Sequence, residues 1–171
     1  HFNGDMEQTV QESLDIRKSL TLALENNELD VFYQPYVSLK DKRVYGIEAL
    51  IRWNHPKYGL KGPAFFLEAA EKSGLITSLG SWVIEAACRK AKILGERGIA
   101  PPLVSVNVSL VQLADFSFPE MVAEILKKTG LQAESLMLEI TETTIIKQSE
   151  TVFRTAATLR EMGVKFAIDN F

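Results

Sequence analysis

Three carboxylates and one amide stand at equivalent places in four separate extended segments of this 171-residue chain: Glu48, Asn107, Glu139 and Asp169. Residues two apart in a strand share a face. Glu48, Leu50 and Arg52 therefore oppose Ile47, Ala49, Ile51 and Trp53. Ser105, Asn107 and Ser109 oppose Val104, Val106 and Val108, and Met137, Glu139 and Thr141 oppose Leu136, Leu138 and Ile140. Lys165, Ala167 and Asp169 oppose Val164, Phe166 and Ile168. Sheets covered by helices normally carry apolar residues on both faces. If the apolar rows pack under helices, the four oxygen-bearing side chains face one space, where three carboxylates repel one another unless a cation lies between them. Such an all-oxygen set suits Mg²⁺ or Mn²⁺, whereas zinc would want His or Cys.

Each residue also has an ordinary reading. A strand carboxylate is usually exposed, Asn107 could bond a neighbouring loop from an edge strand, and Asp169 could cap a following helix. Repetition across four strands, in phase with the apolar rows, favours the cation site. Arg52 suits a phosphate or an ion pair with a glutamate. Glu142 either orients a ligand or loop or caps a helix. His55, in a Pro-containing loop, reads as solvated; Cys88 and Met137 read as packing residues, and Trp53 and Trp82 as packed under helices.

The elements that must position these groups alternate. Met6, Val10, Leu14, Leu20 and Leu24 lie on one face of a lead-in helix ending near Asn26-Asn27. Asp30–Leu39 and Val44–Trp53, joined by the polar turn Lys40-Asp41-Lys42-Arg43, predict an antiparallel hairpin. Asn54–Pro63 reads as a loop. Helices are predicted over Ala64–Lys72, closed by Gly74, and Ser78–Arg97, closed by Gly98. Strand Val104–Leu110, helix Phe118–Lys128, strand Leu136–Thr141, helix Ser149–Met162 and strand Val164–Ile168 follow. The order implies an α/β fold: a modified TIM-type (β/α) barrel with an antiparallel first strand. About five strands are present where such a barrel needs about eight. The expectation is an N-terminal part, completed by further chain or covered on its open side by a homodimer.

Composition narrows the partners. With 19 Lys+Arg against 22 Asp+Glu, the net charge is −3, and 46% of residues are hydrophobic. That is a globular balance with enough chain for its own core, and its slight acidity argues against a DNA or RNA polymer as partner. Cys88 is the only cysteine, which excludes an intramolecular disulfide and fits a reducing compartment. No stretch approaches the roughly 18 apolar residues of a membrane helix, and the first residues lack the features of a secretory signal. A cytoplasmic protein with no membrane contact from this segment is expected.

Taken together, the motifs resemble the EAL domain family, the cyclic di-GMP phosphodiesterases. Glu48-Ala49-Leu50-Ile51-Arg52-Trp53 carries the naming tripeptide, which alone would mean nothing. Tyr33-Gln34-Pro35, Asn54-His55-Pro56, Phe65-Phe66-Leu67-Glu68-Ala69-Ala70-Glu71, Asn107-Val108-Ser109, Leu138-Glu139-Ile140-Thr141-Glu142 and Asp169-Asn170-Phe171 agree in order and spacing from about Leu20 onward. The resemblance implies hydrolysis of cyclic di-GMP to a linear dinucleotide with Mg²⁺ or Mn²⁺. By position Glu48, Asn107, Glu139, Asp169 and Asn170 would hold the metals, with Glu48 and Asp169 also catalytic. Gln34, Leu50 and Arg52 would contact the dinucleotide, and Glu142 would support the active-site loop. Residues 1–18 resemble the linker after an upstream GGDEF-type or sensor domain, leaving 19–171 as the N-terminal part of the EAL domain. Two features depart from the family. Asn170 replaces its second aspartate, and its catalytic lysine and later acidic residues fall beyond Phe171. A degenerate module that binds cyclic di-GMP or a protein without hydrolysis is the alternative.

Overall fold

The computed structural model describes residues 15–98, 103–141 and 150–169. In chain order these form α1 (15–23), β1 (Leu29–Val37), β2 (Val44–His55), β3 (Gly59–Lys61), α2 (Leu67–Ser73), α3 (Leu75–Glu96), β4 (Val104–Asn107), α4 (Leu110–Leu113), α5 (Phe118–Thr129), β5 (Leu136–Thr141), α6 (Glu150–Glu161) and β6 (Lys165–Asp169). The chain divides into two compact units, His1–Asp30 with Ile51–Leu79, and Val31–Leu50 with Gly80–Phe171.

In the first unit, Asn54–Pro63 is a tight hairpin and not the expected loop. The end of β2 pairs antiparallel with β3, matching Trp53 to Lys61 and His55 to Gly59. The reversal is made by His55, whose Nδ1 accepts the backbone N–H groups of Lys57 (3.0 Å) and Tyr58 (3.4 Å), and by Gly59 at φ +71°. His55 is therefore buried and not solvated as expected, its ring 4.6 Å from Trp53 and 4.7 Å from Tyr58. Trp53 is fully buried, and its indole N–H donates to the Glu28 carboxylate at 3.0 Å. A 3₁₀ turn over Pro63–Phe65 delays the start of α2 to Leu67, three residues later than expected. Gly74, in the left-handed region, closes that helix.

The second unit holds most of the sheet. Strand order is β1-β2-β4-β5-β6, with β2, β4, β5 and β6 parallel. Ser38 N–H donates to the Arg43 carbonyl across the β1–β2 turn. So short a connection allows only antiparallel pairing, which makes the first strand the reversed one. Counting β3, the sheet has six strands where about five were expected. β4 stops at Asn107, short of the expected Leu110, because Ser109 starts a helix. Its hydroxyl accepts the Gln112 N–H while the Gln112 side-chain oxygen accepts the Ser109 N–H. Val104, Val106, Leu136 and Leu138 are buried, as are Ile84, Cys88, Val122 and Leu159 from the helices. Burial pushes the Cys88 thiol up to about 12, so it behaves as an inert packing group. In β6 the apolar row is only partly covered, with Ile168 exposed, because β6 has a neighbour on one side only among the described residues.

Candidate functional site

Sheet register brings three of the four sequence positions onto one surface. Glu48 pairs with Ser105, Ser105 with Met137 and Met137 with Lys165; Asn107 pairs with Glu139 and Glu139 with Ala167. Cross-strand partners project to the same side, so Glu48, Ser105, Asn107 and Glu139 share a face. Ala49, Val106, Leu138 and Phe166 take the other. Asn107 Nδ2 donates to Glu48 Oε1 at 2.9 Å. Glu139 is buried, 7% exposed, and accepts a hydrogen bond at Oε1 from the Tyr36 hydroxyl at 2.5 Å. The same hydroxyl lies 2.8 Å from Ser105 Oγ, and Ser105 is fully buried.

Two carboxylates, Glu48 and Glu139, lie on this face. The Tyr36 phenol is held far above its usual range, first by burial, then by its hydrogen bond to Glu139, and further by the charges of Glu139 and Glu48. Tyr36 is thus a hydroxyl donor at neutral pH. The oxygen donors, two carboxylates and an amide, fit a hard divalent cation, and the row continues through Met137 and Lys165. Among the described residues no cluster of three His, Cys, Asp or Glu side chains is assembled; Glu48 and Glu139 share the face from strands two apart.

The other expected residues fall as follows. Gln34 is exposed on β1, and Leu50 is half-buried on β2. Arg52 belongs to the first unit, where its Nη1 donates to the Ile51 carbonyl at 2.8 Å. The backbone of Asp169 pairs with Thr141 at the end of β6, while its side chain, Asn170 and Glu142 lie outside the described residues. Sequence reasoning missed Tyr36 and Ser105. One signal pointed to Tyr36: Gly46 in the interior of β2 marks a close approach.

The family model of the EAL domain matches residues 17–171. This chain belongs to the EAL domain family. It is 36% identical over 170 residues to the bifunctional diguanylate cyclase/cyclic di-GMP phosphodiesterase MucR of Pseudomonas aeruginosa, covering 99% of this chain and 25% of that protein. Among solved structures, the MucR phosphodiesterase in complex with c-di-GMP superposes with a TM-score of 0.87 at 36% identity, over 92% of this chain and 64% of that one. The EAL enzyme Bd1971, bound to cAMP and cyclic di-GMP, also gives 0.87, at 27% identity over 99% of this chain and 47% of that one. The chain spans about a fifth to a quarter of the first curated relatives it matches. Its fold is the N-terminal part of the modified TIM-type barrel of these EAL domains. No helix among the described residues is long and apolar enough to cross a membrane.

Proposed function

We propose that this chain is the N-terminal part of a cytoplasmic cyclic di-GMP phosphodiesterase of bacterial second-messenger signalling, which cuts one phosphodiester bond to give linear pGpG with Mg²⁺ or Mn²⁺. The observation that carries the reading is the shared face of Glu48, Asn107 and Glu139. The c-di-GMP complex of a relative 36% identical supports it. Glu48, Asn107, Glu139, Asp169 and Asn170 would hold the cation pair. Such ions, when bound, polarise a phosphoryl oxygen and acidify a water at neutral pH. The chain's own residues supply the rest. Asn107 fixes one oxygen of Glu48, Arg52 would grip a non-bridging phosphate oxygen, and Gln34 and Leu50 would border the dinucleotide. Glu48 and Asp169 would act at the reacting phosphate, and Glu142 would support the active-site loop. We read residues 19–171 as the EAL portion and 1–18 as a linker from an upstream GGDEF-type or sensor domain, in line with the bifunctional description of MucR.

One observation favours a second reading. Asn170 stands where the family has an aspartate, and its missing charge weakens the second cation, so the chain would bind cyclic di-GMP without cutting it. The test is to incubate the full-length protein with cyclic di-GMP and Mn²⁺ and separate the products. Linear pGpG that disappears in Glu48→Ala supports the enzyme. Bound but intact nucleotide overturns it in favour of the receptor. For the enzyme, Asn170→Asp is expected to raise turnover about tenfold or more, from the charge restored beside the ion.

A further inference from the structure

We propose that Tyr36 is a positioning residue for the cation site: its hydroxyl, anchored on Ser105, fixes one oxygen of Glu139 so that the other is presented to the ion. The inference rests on the reading of Glu139 as a ligand and extends it to a residue outside the ligand set. Three strands build the arrangement. From β1 the Tyr36 hydroxyl reaches Glu139 Oε1 on β5 (2.5 Å) and Ser105 Oγ on β4 (2.8 Å). Its ring lies stacked on Tyr45 of β2, with centroids 5.7 Å apart and planes 19° apart.

The space for that ring is provided by Gly46. A Cβ there would stand 3.2 Å from Tyr36 Cδ2 and 3.1 Å from the Leu103 carbonyl oxygen. A glycine inside a strand weakens it, so its presence matches the need to admit the ring. Ser105, fully buried, has its hydroxyl satisfied by the phenol, which ties the tyrosine to the strand that also carries Asn107. A flexible glutamate must lose rotamer freedom when it ligates; a carboxylate already held by a fixed donor has less to lose. Outer partners of this kind are worth about 10- to 100-fold in metal affinity.

The test titrates Mn²⁺, without nucleotide, into the full-length protein by calorimetry. Tyr36→Phe keeps the ring and removes the hydroxyl, and is expected to weaken Mn²⁺ binding about 10- to 100-fold. In turnover it should raise the Mn²⁺ concentration for half-maximal rate while kcat at saturating Mn²⁺ recovers to within a few-fold. A merely structural loss would lower kcat at every concentration. Gly46→Ala, which presses on the ring but removes no polar group, should shift Mn²⁺ affinity in the same direction, and it decides the matter if Tyr36→Phe does not fold. Folded variants that bind Mn²⁺ within twofold of wild type, or more tightly, overturn the proposal. Glu139→Gln separates the two readings. If it binds Mn²⁺ like wild type, Glu139 is no ligand and both readings fall. If it loses binding while Tyr36→Phe keeps it, only the role of Tyr36 falls.

Discussion

Glu139→Gln should make the metal-free protein more stable and the metal-loaded protein less so. Glutamine keeps the volume of the side chain and an oxygen to accept the Tyr36 hydroxyl, and deletes the charge. Register sets Glu48 and Glu139 two strands and two residues apart, which puts their Cα atoms about 12 Å apart. Both side chains reach over the intervening strand, Glu48 to the Asn107 amide and Glu139 to the hydroxyl that also meets Ser105. With carboxylates roughly 7 Å apart and an effective dielectric of about 20, their repulsion is about 2 kcal/mol. Water at this face screens part of it, so the expected gain in a chelator is about 1 kcal/mol. With Mn²⁺ at 100 times its dissociation constant, wild type gains about 2.7 kcal/mol and the variant little, so the order inverts. Urea unfolding of the full-length protein in EDTA and in Mn²⁺ reads both signs. A variant that loses more than about 1 kcal/mol in EDTA yet keeps the Mn²⁺-dependent rise would show that the acidic row is a structural network and that the electrostatic reasoning is wrong.

Gly80, inside helix α3, sits against the side-chain amide of buried Gln112. Helix propensity favours alanine there by about 1 kcal/mol, but overpacking costs about 1–3 kcal/mol. Gly80→Ala should therefore lower the melting temperature, and a rise would refute the packing account. Glu85 on α3 is bonded by Lys128 from α5 and by Arg89, which together hold its carboxyl below the usual range. A depressed folded pKa gives stability that is present above the unfolded value and lost as pH falls through the folded one. Glu85→Gln should thus cost up to about 1 kcal/mol at pH 7, a difference that closes below about pH 4; urea unfolding at two pH values measures it, and a gap that widens in acid would contradict the pairing. Arg52→Ala should weaken cyclic di-GMP binding about 10- to 100-fold, the worth of one charge-assisted phosphate contact. Equal affinity by calorimetry would remove Arg52 from the binding set.

The sequence is most legible where a segment's own residues decide its state. β5 occupies Leu136–Thr141 as its alternation predicts, and α5 starts beside Pro119 and stops at Gly130, where the punctuation says it should. The hairpin after Trp53 was illegible for a specific reason. Pro56 and Gly59 look like loop residues, and what turns them into paired strands is the His55 ring capturing two backbone N–H groups inside an aromatic cluster. A side chain acting as a turn cap has no periodicity to detect. In the site, the parity of Glu48, Asn107 and Glu139 follows from the two-residue repeat and needs only the parallel register to bring them together. Tyr36 is different in kind. Its partners lie 69 and 103 residues away, so nothing in its neighbourhood distinguishes it from any half-exposed strand tyrosine. Only Gly46, an entropic cost with no local purpose, marks the place where another strand's side chain must enter. Long-range polar contacts thus leave their trace in the sequence on the residues that make room for them, and the glycine of β2 carries that information better than the tyrosine does.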